Sequence, residues 1–236
     1  MKKIIAGVHH FMRDEMPIHR EMFERAAARK QNPMALFITC SDSRVMPNWI
    51  TSTEPGELFL LRNAGNIVPP FGAGFGGEGA TIEYALTVLG IRHIIVCGHS
   101  QCGAVGAMLE GPDFSDRPGL RAWLQNAEAT RQIVRAKYPH LRGTELAIAA
   151  AEENVLVQLN SLSTHPHVAA LLGTRELSVY AWYYDIASGR VLQYDQSSGI
   201  FEEMNGEAIP ASPHPRRASG AVDGWDSEAR LVPDGA

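Results

Sequence analysis

The sequence predicts an α/β fold: a mainly parallel central sheet flanked by helices, with an antiparallel edge strand. Short apolar runs at 34–39, 57–62 and 93–98 alternate with stretches of helical composition, the order that builds parallel sheets. The runs Met34-Ala35-Leu36-Phe37-Ile38-Thr39 and His93-Ile94-Ile95-Val96-Cys97-Gly98 read as buried strands. Later, Leu177–Tyr184 turns through Ala187-Ser188-Gly189 into Arg190–Tyr194, a hairpin suited to a sheet edge.

Taken in order, residues 15–30 suit a helix, with Pro17 tolerated near its first turn. The strand at 34–39 follows, and Glu57–Arg62 supplies the next. Residues 78–89 place Ile82, Ala85, Leu86 and Leu89 on one helical face, and Gly90 ends that helix. After the strand at 93–98 a helix begins near Gln101. Helical patterns at 119–137 and 144–162 come next, the second with Leu146, Ala149, Ala150, Glu153, Val157 and Leu159 in register. From about Asn205 the pattern fades. Pro210, Pro213, Pro215, Gly220, Gly224, Pro233 and Gly235 mark an extended tail over 205–236, distinct from a main domain over 1–204 whose first 33 residues form a helical arm. Trp225 is its candidate anchor, and the tail is a candidate segment for a protein partner.

At 236 residues and 45% hydrophobic, the chain can bury a substantial core. A net charge of -5 argues against a nucleic-acid footprint. Nothing reaches a membrane-spanning apolar run, and the opening Met1–Val8 is too short for a signal peptide before His9 and His10. The expectation is a cytoplasmic protein, with a bacterial microcompartment as a further address. Three cysteines speak against a secreted disulfide framework. Cys97 sits inside an apolar run and reads as a small buried hydrophobe.

Two short blocks carry chemistry: Cys40-Ser41-Asp42-Ser43-Arg44 and His99-Ser100-Gln101-Cys102. Each follows a strand, at the carboxyl end where open parallel sheets bind ligands. Two soft thiolates and an imidazole suit zinc, and three protein ligands leave a fourth position open. The expected metal set is Cys40, His99 and Cys102. Asp42 has two readings. As a fourth ligand it closes the site; forked by Arg44 it stays ionised and leaves the position to water. The bland alternative, a buried Cys, a capping Asp and a helix-start His that never meet, fits either block alone better than it fits the pair.

Cys40–Val45, Arg62-Asn63-Ala64-Gly65-Asn66 and Gly98–Gly103 resemble the three signature blocks of β-class carbonic anhydrases. The similarity runs from the N-terminal helix to about residue 195. The resemblance implies one zinc per subunit on Cys40, His99 and Cys102, with Asp42 and Arg44 as the catalytic dyad. It also implies a narrow apolar pocket formed by Gln31, Val45, Phe59, Tyr84 and the backbone of Gly103. The implied reaction is reversible hydration of carbon dioxide to bicarbonate and a proton, by attack of a zinc-bound hydroxide that Asp42 orients. Family members assemble as homodimers sharing active-site walls, or as dimers of dimers. One departure stands out. Some members hold regulatory bicarbonate by a Trp three residues before the first Cys, with an Arg and a Tyr. Here Phe37 occupies that place beside Arg62 and Tyr184, and a phenyl ring has no donor. Hydrolysis of carbon disulfide or carbonyl sulfide is the alternative chemistry for the same centre. A scaffold with structural zinc is the non-enzymatic reading.

Other signals are weaker. Gly72-Ala73-Gly74-Phe75-Gly76-Gly77 fits a dinucleotide pattern but follows Pro69-Pro70-Phe71 rather than a strand. His9, His10, His140, His165, His167 and His214 read mostly as solvated, and His19 is a proton carrier only if the fold brings it to the pocket. Arg216-Arg217-Ala218-Ser219 resembles a kinase target in a segment where such strings arise readily.

Overall fold

A computed structural model describes residues 1–73, 76–111 and 114–204. The tail with Trp225, His214 and Arg216-Arg217-Ala218-Ser219 lies outside them, as do Gly74 and Phe75 of the glycine pattern. The chain opens on α1 (Lys2–His10), a π-helical turn over Phe11–Glu15, the single turn α2 (Met16–Ile18) and α3 (Arg20–Ala28). The arm is therefore helical from its second residue, earlier than the expected start at 15. Ile4, Ile5 and Val8 lie on one turn-spaced stripe that a search for a signal peptide passes over.

Then follow β1 (Ala35–Cys40), α4 (Pro47–Thr51), β2 (Leu58–Asn63), α5 (Gly77–Thr87) and β3 (His93–His99). Next come α6 (Gly103–Glu110), α7 (Pro118–Leu124), α8 (Glu128–Lys137), α9 (Gly143–Ser163) and α10 (Pro166–Gly173). The chain ends on β4 (Ser178–Tyr184), β5 (Val191–Asp195) and β6 (Ile200–Glu203). The expected 119–137 helix is two helices joined by a 3-10 turn at Gln125–Ala127, because Leu124 and Ala127 both turn into the core. Helices α4 and α10 and strand β6 were not expected. Each is eight residues or fewer, too short for periodicity to show.

The six strands lie in the order β2-β1-β3-β4-β5-β6, parallel from β2 through β4 and antiparallel beyond. The antiparallel edge is thus two strands wide rather than one. Every residue of β1 is buried, and so is β3 after His93. One side of the sheet packs Leu36, Ile38, Ile94 and Val96 against α5, α9 and α10; Phe37, Ile95 and Cys97 occupy the other.

Helix α9 lies so close to β3 that a Cβ on Gly98 would stand 2.7 Å from Val155 Cγ2 and 3.2 Å from the Ala151 carbonyl oxygen. Only glycine permits that approach. The helix also buries charge. Glu153 is taken up by Lys137 Nζ and, at 2.7 Å, by the Tyr138 hydroxyl. Glu152, beside it, is pushed up to about 7 by burial and then by the charge of Glu153, with Lys137 opposing. The folded chain therefore holds this proton to higher pH than the unfolded chain. Its contribution is full below the ordinary glutamate value near 4.3 and is lost as pH rises through about 7. Glu152→Gln removes that loss. Its melting temperature should exceed that of the unaltered protein by more at pH 8 than at pH 5, and an equal difference at both would rule the assignment out.

Candidate metal centre

The winding of the sheet reverses between β1 and β3, and a crevice opens at such a switch point beyond the carboxyl ends of the strands. Thr39 pairs with Cys97, so Cys40 and His99 leave the sheet side by side. Gln101 takes a left-handed backbone (φ +56°) and returns the chain so that Cys102 stands immediately before α6. The candidate ligand atoms of Cys40, His99 and Cys102 all lie within 4.8 Å of one another, and all three residues are buried.

The donor set fits zinc. The two sulfurs are 3.9 Å apart, against about 3.8 Å for two Zn–S bonds of 2.3 Å at a tetrahedral angle. His99 Nδ1 donates to the Ser100 carbonyl at 2.8 Å, which leaves the Nε2 lone pair free. Nε2 is buried with no hydrogen-bond partner among the described residues, an arrangement that calls for a metal. Cys40 is drawn down by the hydrogen bond it shares with Cys102, against burial, with His99 and the Gly65 amide helping. Cys102 is pushed up, because its proton serves the Cys40 thiolate and because it is buried; amides opening α6 oppose this. One sulfur is ready to ligate, and the other gives up its proton when metal binds.

Asp42 stands apart from this cluster. Both of its oxygens are taken by Arg44: Nε reaches Oδ1 at 2.9 Å, Nη2 reaches Oδ2 at 2.8 Å, and the Arg44 amide reaches Oδ1 at 3.0 Å. The guanidinium holds the Asp42 carboxyl well below the usual carboxylate range. Arg44 is braced in turn by Gln101, through Oε1 at 3.3 Å and the carbonyl at 3.4 Å, so the two blocks are tied to each other. Arg62 bonds the carbonyls of Cys40 and Asp42 and fixes the loop between them.

The other expected site residues divide. Val45 is fully buried next to the dyad, its amide bonded to the Asp42 carbonyl, and Gly103 begins α6 beside Cys102. Phe59 and Tyr84 stack on each other (centroids 6.0 Å apart), but Phe59 pairs with Leu36 in the sheet register. Four residues separate Leu36 from Cys40, about 13 Å along a strand. Phe59, and Tyr84 stacked on it, therefore stand well down the sheet from the cluster of their own chain. Gln31 is exposed in the connection before β1. Phe37 is fully buried edge-on against Trp182, and the Arg62 guanidinium is occupied by carbonyls. His165 is a correction: it is buried, with Nε2 on the Pro69 carbonyl at 3.0 Å. His19 is exposed beside Glu15 on the arm.

Sequence reasoning missed the polar side chains that support the centre. Asn154 and Gln158 stand four apart on an otherwise apolar helix face, and both are buried. That spacing was the available signal.

A family model described as carbonic anhydrase matches residues 35–191. The chain belongs to the carbonic anhydrase family. The carbonic anhydrase of Synechococcus elongatus is 47% identical over 84% of this chain and 73% of its own length. That of Pseudomonas aeruginosa is 45% identical over 86% and 92%. The solved structure of the β-carbonic anhydrase CcaA is 45% identical, with a TM-score of 0.83 over 86% of this chain and 92% of that one. Tetrameric β-carbonic anhydrases of Sordaria macrospora match at 28% identity and TM-score 0.72, over 81% and 95%. The β-class resemblance, the sheet and the zinc chemistry of the donor set therefore agree.

Among the three cysteines of this carbonic anhydrase, Cys97 is the outlier, pushed up to about 12 by complete burial. Metal analysis of purified protein should find zinc at background in Cys40→Ser, His99→Ala and Cys102→Ser, and undiminished in Cys97→Ala. Loss in Cys97→Ala together with retention in Cys40→Ser would contradict the ligand set.

Proposed function

We propose that Cys40, His99 and Cys102 hold the zinc of this carbonic anhydrase with its fourth position left to water. Asp42, fixed by Arg44, then orients the attacking oxygen in the reversible hydration of carbon dioxide to bicarbonate and a proton. The observation that carries this reading is the two-pronged Asp42–Arg44 bond, because a carboxylate with both oxygens occupied is unavailable as a fourth ligand. Zinc supplies Lewis acidity that makes a coordinated water acidic, lowering its pKa from 15.7 to about 7 in carbonic anhydrase zinc chemistry generally. Two thiolates donate more charge than imidazoles, so mildly alkaline conditions favour this centre.

The chain's own groups do the rest. Asp42 stays ionised across the working range and accepts a hydrogen bond from the nucleophile, turning its lone pair toward carbon dioxide. Val45 gives the substrate an apolar wall, and the backbone of Gly103 lines the pocket. Phe59, Tyr84 and Gln31 complete the pocket from a second copy, which is why they stand away from the centre in their own chain. Gln31 serves there as a hydrogen-bond partner for a product oxygen. The tetrameric relatives support assembly as a homodimer or a dimer of dimers. The proposed address is cytoplasmic, with a bacterial microcompartment as its finer form; no helix among the described residues is long and apolar enough to cross a membrane. A protein partner for residues 205–236 completes the proposal; truncation after Met204 with unchanged assembly and localisation would end that part of it.

Asp42→Ala and Asp42→Asn test the dyad by stopped-flow hydration. Both should lose activity by about a hundredfold or more while keeping bound zinc. Full activity with zinc retained would remove Asp42 from the mechanism. Sedimentation of the unaltered protein should give at least twice its 25.8 kDa chain mass, and a stable, active monomer would exclude the shared pocket.

A further inference from the structure

The Cys40 sulfur receives a hydrogen bond from the Gly65 amide, at 3.3 Å. That N–H belongs to the Ala64–Gly65 peptide group. The carbonyl of the same group points the opposite way and accepts from the Trp123 indole of α7 at 2.8 Å. The next peptide is also held. Its carbonyl, that of Gly65, accepts from Asn154 Nδ2 at 2.9 Å. Asn154 is fixed in its turn, because Oδ1 accepts from Thr130 Oγ1 (3.1 Å) and Gln158 Nε2 (3.0 Å). Gln158 Oε1 then takes the Val68 amide at 2.9 Å. Thr130, Asn154 and Gln158 are each 1% exposed or less, so these bonds are unscreened by solvent.

The loop so held takes an uncommon backbone path. Gly65 (φ +86°) and Asn66 (φ +48°) are left-handed in succession, and a Cβ on Gly65 would stand 3.0 Å from Ala104 Cβ. Asn63 clasps Ile67 by two bonds of 2.8 Å to close the loop. Glycine and asparagine accept this region, and the bonds around them select this one path for the loop. The group this loop presents to the metal centre is the Gly65 N–H.

We propose that Trp123 and Asn154 are positioning residues for the zinc ligand Cys40. They lock the peptide planes on either side of Gly65, so that its N–H stays on the sulfur, and the Trp123 bond polarises that same N–H across its peptide group. An N–H donor draws electron density off a thiolate. In a centre with two thiolates this leaves the metal a stronger Lewis acid, and it lets Cys40 compete for metal rather than for a proton.

The inference rests on Cys40 as a ligand, and the test separates the two. Trp123→Phe keeps an aromatic ring at a half-buried position and removes the donor. Asn154→Asp keeps the acceptor for Thr130 and Gln158 and removes the donor to Gly65. Full-length protein loaded with cobalt(II) reports the sulfur directly through its sulfur-to-metal charge-transfer band. In Trp123→Phe that band should move to lower energy. Zinc affinity, measured by competition with a chromogenic chelator, should fall about tenfold, and kcat should fall with KM unchanged. Asn154→Asp should move the same readouts in the same direction; should it fail to fold, Trp123→Phe decides alone. A Trp123→Phe protein with the band and affinity of the unaltered enzyme overturns the inference while leaving the site intact. Absence of the band from the unaltered cobalt protein overturns the ligand assignment itself.

Discussion

The parallel pairing of β1 with β3 is the constraint on which the rest depends. Its register sets Thr39 against Cys97, and from that follow the neighbouring exits of Cys40 and His99. A slip of one residue would turn each side chain to the other face of the sheet. Both faces of this pairing are packed, Leu36, Ile38, Ile94 and Val96 on one and Phe37, Ile95 and Cys97 on the other, so such a slip would set every side chain against the wrong neighbours and is disfavoured. The apolar residues of the two strands thus fix the spacing of Cys40 and His99.

Helix α9 ties the two halves together. Through the missing side chain at Gly98 it rests directly on β3, one residue before His99. Through Asn154 it holds the loop that reaches the Cys40 sulfur. Two ligands from separate strands are thereby referenced to one helix, and a ligand set held in this way loses little conformational freedom when metal binds. The buried polar network on α9 is satisfied member by member, so it specifies the loop at no large desolvation cost.

Much of this was legible in the residues. Strands β1 and β3 showed as apolar runs because both of their faces are covered, and the cluster of Cys40, His99 and Cys102 could be anticipated because soft donors at strand ends have few other uses. Asp42 could be read two ways from sequence, since a carboxylate two residues from an arginine can serve either partner; the observed fork of distances is what supports the proposed reading. Strand β6 and helices α4 and α10 escaped because they are too brief to display a period, and β6 exists through its pairing with β5. Asn154 and Trp123 escaped for a different reason. Their partners are main-chain carbonyls of a loop far away in sequence, and a main-chain carbonyl leaves no trace in residue type.

The position of Phe59 on the sheet has a thermodynamic consequence. Because it pairs with Leu36, far down the strand from Cys40, the proposed pocket would leave a lone chain with its metal ligands and dyad but without all of its substrate walls. On the proposed sharing, metal content is a property of the monomer and turnover a property of the assembly. Dilution would then separate the two quantities: zinc per chain would stay constant while specific activity followed the law of mass action for chain association.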